Sequence, residues 1–79
     1  MNNPAKRVRQ LLDILQKYTD EVESSLDDNE KKTYEELLRQ RRSDIQIYTR
    51  RLDTAQAQGD SGLAEITKIH SELLNRYFS

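Results

Sequence analysis

Residues 34–55 read YEELLRQRRSDIQIYTRRLDTA. Within them Tyr34, Leu38, Arg41, Ile45, Tyr48, Leu52 and Ala55 recur at alternating steps of four and three. That spacing places seven side chains on one face of a helix, with charged residues on the other. Two further stripes keep the same rhythm: Val8, Leu11, Leu15, Tyr18 and Val22 before it, and Leu63, Ile66, His70, Leu73 and Tyr77 after it. Folding the first stripe back on the second pairs 8 with 48, 11 with 45, 15 with 41, 18 with 38 and 22 with 34. Folding the third back in turn gives the layers Val8/Tyr48/His70, Leu11/Ile45/Leu73 and Leu15/Arg41/Tyr77. The pattern predicts an all-α fold: an antiparallel three-helix bundle made of a long helical hairpin and a shorter third helix.

The turn residues give the same folds in the chain. A proline suits the first turn of a helix, so helix 1 is expected from about Pro4 to Leu26. The run Asp27-Asp28-Asn29 breaks it, because these side chains bond nearby backbone N–H groups. Asp27 with Glu30 three residues later has the form of an acidic capping box. Helix 2 is expected over about 30–58, with no Gly or Pro inside. Gly59 suits the left-handed residue that ends a helix. Asp60 or Ser61 is expected to cap helix 3, over about 61–77. A single long helix through 27–29 is the competing reading. The hairpin is preferred because amphipathic helices gain most of their stability from packing.

The chain has 79 residues, enough for one domain, and only 18 of them are Leu, Ile, Val or Phe. A core this small is marginal alone, so an oligomer or a partner is expected. Thirteen basic residues balance 14 acidic ones. A net charge of -1 provides no global pull toward nucleic acid or anionic membrane. There is no cysteine, hence no disulfide and no zinc-thiolate site. No run approaches the ~18 apolar residues of a membrane span, and no signal peptide is evident. The cytoplasm is the default compartment.

Lengths supply the functional clue. At ~1.5 Å per residue helix 2 would be ~43 Å long and helix 3 only ~26 Å. Helix 3 therefore runs out beside Arg41, and Tyr18, Val22, Leu26, Tyr34, Leu37 and Leu38 are left on a two-helix tip. Such a tip presents an apolar surface for another helix, from a second copy or from a different protein. Arg41 stands where the seam calls for an apolar residue. Its stem would pack while its guanidinium reaches water or the Tyr77 ring; the alternative is a carboxylate across an oligomer interface. His70 is a lone histidine without cysteine neighbours, and this argues for a structural role over a metal or catalytic one.

Two charged features admit other readings. Arg39, Arg42 and Arg50, in step with Gln46, form an outward stripe that could track phosphates, with Arg51 to one side. Glu35 and Asp53 lie at neutralising spacings, so a solvated charged face is the preferred account and nucleic acid the alternative. The acids Asp20, Glu21, Glu23, Asp27, Asp28 and Glu30 crowd the tip, where the dipole of helix 1 disfavours them. They lack the spacing of a calcium loop. No glycine-rich phosphate loop or nucleophile–base pair is present, so no enzyme, cofactor, metal or small-molecule substrate is expected.

In size and charged amphipathic character the chain resembles small paired-helix co-chaperones of bacterial secretion systems. The resemblance is one of architecture, no motif carries it, and no residue is transferred from it. It implies a subunit of a larger assembly. The expectation from the residues is a non-enzymatic interaction protein, a homodimer or partner-binder, working through the hairpin tip.

Overall fold

A computed structural model describes residues 3–79, and every element in it is helical. Helix α1 spans Pro4–Ser25, α2 spans Asp28–Ala57, and α3 spans Leu63–Tyr77 after a 3-10 turn at Gly59–Gly62. Each helix touches the other two. The molecule is 47 Å long, about the length of α2 itself at ~1.5 Å for each of its 30 residues. So α2 is the spine, and the other two helices share its length unequally.

Each boundary has a local cause. The Asn3 side chain accepts from the N–H groups of Ala5 and Lys6 at 3.1 and 3.3 Å, a cap that precedes Pro4. At the hairpin, Asp27 accepts from the Glu30 N–H at 2.8 Å and Glu30 accepts from the Asp27 N–H at 3.0 Å. The capping box is therefore complete, and the chain turns through Leu26 and Asp27 alone. Gly59 has φ +62°, the left-handed conformation that glycine adopts without strain. Asp60 and Ser61 do not cap α3. They lie in the 3-10 turn, and the Ser61 hydroxyl donates back to the Gln58 carbonyl at 2.8 Å. The turn lets Gly62 press against Ala55: a β-carbon at Gly62 would lie 2.7 Å from the Ala55 carbonyl carbon.

The core contains Ala5, Val8 and Leu12 of α1, Tyr48, Leu52 and Ala55 of α2, and Ile66, Ile69 and Leu73 of α3. Two stripes are rotated from their expected faces. On α1, Leu12 and Thr19 are buried, while Leu11 is half-buried and Tyr18 exposed. Thr19 is only 1% exposed because its hydroxyl donates to the Leu15 carbonyl at 2.7 Å, so it packs without an unmet polar group. On α3, Ile69 is fully buried, His70 is half-buried, and Leu63 is exposed. Rotation by one position trades an imidazole for an isoleucine in the core, which hydrophobic burial favours.

The register of α1 on α2 also differs from expectation. Arg9, beside Val8, donates to Asp53, beside Leu52, at 2.6 Å. Arg42 donates to Asp20 at 2.9 Å and to Glu23 at 2.5 Å. Val8 therefore sits at the level of Leu52 rather than Tyr48, about one helical turn further along α2. The buried residues follow suit, with 5, 8, 12 and 15 on α1 matching 55, 52, 48 and 45 on α2. The expected layer Leu15/Arg41/Tyr77 does not survive this shift, since Leu15 falls level with Ile45; Arg41 and Tyr77 still meet, and Leu15 lines the same cleft with Ile14, Tyr18 and Phe78.

Candidate functional site: the open end of the hairpin

Polar side chains fix α3 against α2. Arg51 donates to Glu65 at 3.1 Å and to Glu72 at 3.1 Å, with its guanidinium 5.3 Å from the centre of the Tyr48 ring. The same Glu72 accepts from the Tyr48 hydroxyl at 3.3 Å. The bond from Arg51 holds the Glu72 carboxyl below its ordinary range, and Glu72 and then Glu65 bind the Arg51 proton more firmly than usual. Burial, followed by the nearby Glu72 charge, raises the Tyr48 hydroxyl.

Asp44 anchors the last turn of α3. It is 8% exposed and accepts from the Tyr77 hydroxyl, from Gln40 at 3.1 Å and from Arg76 at 3.4 Å. Burial and then the Asp44 bond push the Tyr77 hydroxyl up to about 12. Arg41 lies across the other side of this turn, its guanidinium 5.6 Å from the Tyr77 ring centre. Among the described residues Arg41 has no carboxylate partner, unlike Arg42 and Arg51.

Past Tyr77 the face of α2 that received α3 continues uncovered. Asp44 and Arg41 face α3, and Leu37, Tyr34 and Glu30 follow at helical spacing on the same side. On α1, Tyr18 lines the Tyr77 cleft, and Val22 continues its line one turn later. The result is an open groove between α1 and α2, about 20 Å long from Arg41 to Asp28. Tyr18, Tyr34 and Leu37 are 56%, 45% and 51% exposed, and Val22 and Leu26 are half-buried. Ile14 and Phe78, exposed at 53% and 37%, extend the apolar surface past the end of α3. Leu38 is not part of this surface. At 7% exposed it is sealed in the α1–α2 seam, because it continues the α1-facing line of Ile45 and Leu52 at seven-residue spacing.

Part of the charge at the tip is paired within the chain. Arg42 gathers Asp20 and Glu23, and the bonds from Glu23 and then Asp20 raise its already high pKa. The acids at the end of α1 thus offset their unfavourable dipole position by bridging the hairpin. Arg39 pairs with Glu36, not Glu35, and Asp53 pairs with Arg9, not Arg50. Of the three arginines in the outward stripe, only Arg50 lacks an ion pair among the described residues.

Comparison with known proteins finds no match among protein families, curated proteins or solved structures. Among the described residues, no helix is long and apolar enough to cross a membrane.

Proposed function

We propose that the chain is a non-enzymatic interaction protein, an antiparallel three-helix bundle that accepts a further helix in the open groove at its hairpin tip. One observation carries the reading. The face that seats α3 runs on beyond Tyr77 with Tyr18, Tyr34 and Leu37 about half exposed. Burying the rest of each such side chain is worth roughly 1 kcal/mol. Docking would be helix on helix, with Tyr18, Val22, Leu26, Tyr34 and Leu37 as the apolar centre and Glu30, Arg41 and the tip acids as the polar rim.

The test places a photo-crosslinking amino acid at Leu37, inside the groove, and at Lys17, on the exposed outer face of α1. Irradiation in the native host is expected to give one dominant crosslinked species from position 37 and none from position 17. A position 37 that captures nothing, or the same species as position 17, refutes the docking role.

A further inference from the structure

The stripe that lines the groove on α2 is self-complementary. It reads Glu30, Tyr34, Leu37, Arg41, with steps of four, three and four. Reversing the direction leaves that spacing unchanged. Laid antiparallel on itself, it sets Glu30 against Arg41 at both ends and Tyr34 against Leu37 at the centre. An unrelated helix would match this pattern only by chance, whereas a second copy carries it by construction.

We infer that the occupant of the groove is a second copy of this chain. The two hairpin tips pack about a two-fold axis that crosses α2 between Glu35 and Glu36. This rests on the docking reading above and names its partner. The two tips then form a four-helix bundle, each closing the slot that the other's α3 leaves open. A two-fold interface is closed, so assembly stops at two.

Three further observations fit this occupant. Arg41 is half-buried at the mouth of the groove with only an aromatic face for company, and the paired Glu30 supplies its missing carboxylate. The exposed Ile14 and Phe78, at the far end of the groove, come level with Leu26 at the tip of the second copy. The area is also adequate. Five large side chains, each about half exposed, offer roughly 500 Å² per copy. With the charged rim, two copies approach the ~1,200 Å² at which specific interfaces begin.

A charge-swap experiment tests this pairing. Wild-type chain should sediment at twice its 9.3 kDa mass at high micromolar concentration. Arg41→Glu and Glu30→Arg each place like charges together at both ends of the stripe. Each should weaken association on the order of a hundredfold, with helicity by circular dichroism retained. Mixing the two variants restores opposite charges at both ends, so the mixture should recover the dimer mass. A wild type that stays monomeric, or variants that do not rescue each other while both remain helical, overturns the self-pairing. Glu30 also closes the Asp27 cap, so if Glu30→Arg loses helicity, Glu30→Gln, which keeps that cap and removes the charge, decides: weakened association supports the pairing and wild-type association overturns it. The crosslink from Leu37 separates the two claims, because capture of a different protein sinks the self-pairing and leaves the docking role standing.

Discussion

Replacing Gly62 with alanine should destabilise the fold by about 2 kcal/mol, although glycine-to-alanine changes near helix ends ordinarily stabilise by ~0.4–1 kcal/mol. The backbone does not resist the change, since Gly62 has φ -89°, which any residue adopts. The obstacle is Ala55. The added β-carbon would lie 2.7 Å from its carbonyl carbon and 3.1 Å from its Cα, where ~3.5–4.0 Å is comfortable. The Ala55 carbonyl oxygen is nearer still; all three atoms are backbone, so none can swing aside, and the start of α3 must back away by more than ~1 Å. A gap of 0.5–1 Å forfeits about a quarter to a half of each van der Waals contact it opens. The contacts at stake are those of Ile66, Ile69 and Leu52, all 3% exposed or less. Overpacking of this kind costs about 1–3 kcal/mol, and an immovable neighbour puts the case in the upper half. For a domain this size, 2 kcal/mol lowers the melting temperature by roughly 8–16 °C. Thermal and urea unfolding followed by circular dichroism measure the effect, with Gly59→Ala as the comparison. There φ is +62° and nothing lies within 4 Å of the added carbon, so only the left-handed backbone is penalised, by about 1 kcal/mol. A Gly62→Ala chain as stable as the wild type, or more so, would refute the packing argument.

Neighbouring leucines at the tip should behave oppositely. At concentrations dilute enough to keep the chain monomeric, Leu38→Asp buries an unpaired carboxylate and should cost about 3 kcal/mol or more, while Leu37→Asp should stay within ~0.5 kcal/mol, as urea midpoints will show. Equal losses would contradict the placement of Leu38 in the seam. Asp44→Ala strands the Tyr77 hydroxyl and should cost about 1–3 kcal/mol, most of it recovered by adding Tyr77→Phe in a double-mutant cycle. Additive losses would show that the two groups do not interact. Alkaline stability should depend on the same pair. An unfolded tyrosine ionises near ~10, whereas Tyr77 in the fold is pushed up to about 12. Between these values the unfolded chain has released a proton that the folded chain keeps. Stability is therefore full below pH ~10 and falls as pH rises through about 12. Tyr77→Phe should make that fall shallower, leaving the share due to Tyr48, which burial also raises. An unchanged alkaline slope in stability measurements would rule Tyr77 out as its source.

What could be read from the sequence was whatever local chemistry determines. The Asp27–Glu30 cap and the left-handed Gly59 follow from side chains at fixed offsets. Rotation and register were not legible in the same way, because they depend on which neighbouring position packs best. Thr19 reads as polar yet satisfies its hydroxyl within its own helix, and so can displace Tyr18 from the core. Ile69 outcompetes His70 for the same reason of fit. Asp44 reads as an exposed acid among arginines. Its burial depends on Tyr77 and Arg76, more than thirty residues away, and no local pattern signals them. The open groove was legible from helix lengths, but its membership was not. Leu38 faces α1 in line with Ile45 and Leu52, whereas Ile14 and Phe78 join the exposed apolar surface where α3 ends.

The unequal sharing of α2 also sets where the molecule can loosen. From Asp44 to Ala55 this helix has partners on two sides, with Arg51 and Asp44 tying α3 down. From Asp28 to Gln40 it leans on α1 alone, held there chiefly by the seam at Leu38 and by Arg42 just beyond. Local opening follows the density of buried contacts, so backbone amides in the first half of α2 should exchange with solvent faster than those in the second, with no break in the helix between them. One continuous helix thereby joins a firm foundation to a compliant end. The compliant end can adjust its two strands of side chains to an incoming surface while the foundation keeps them in place.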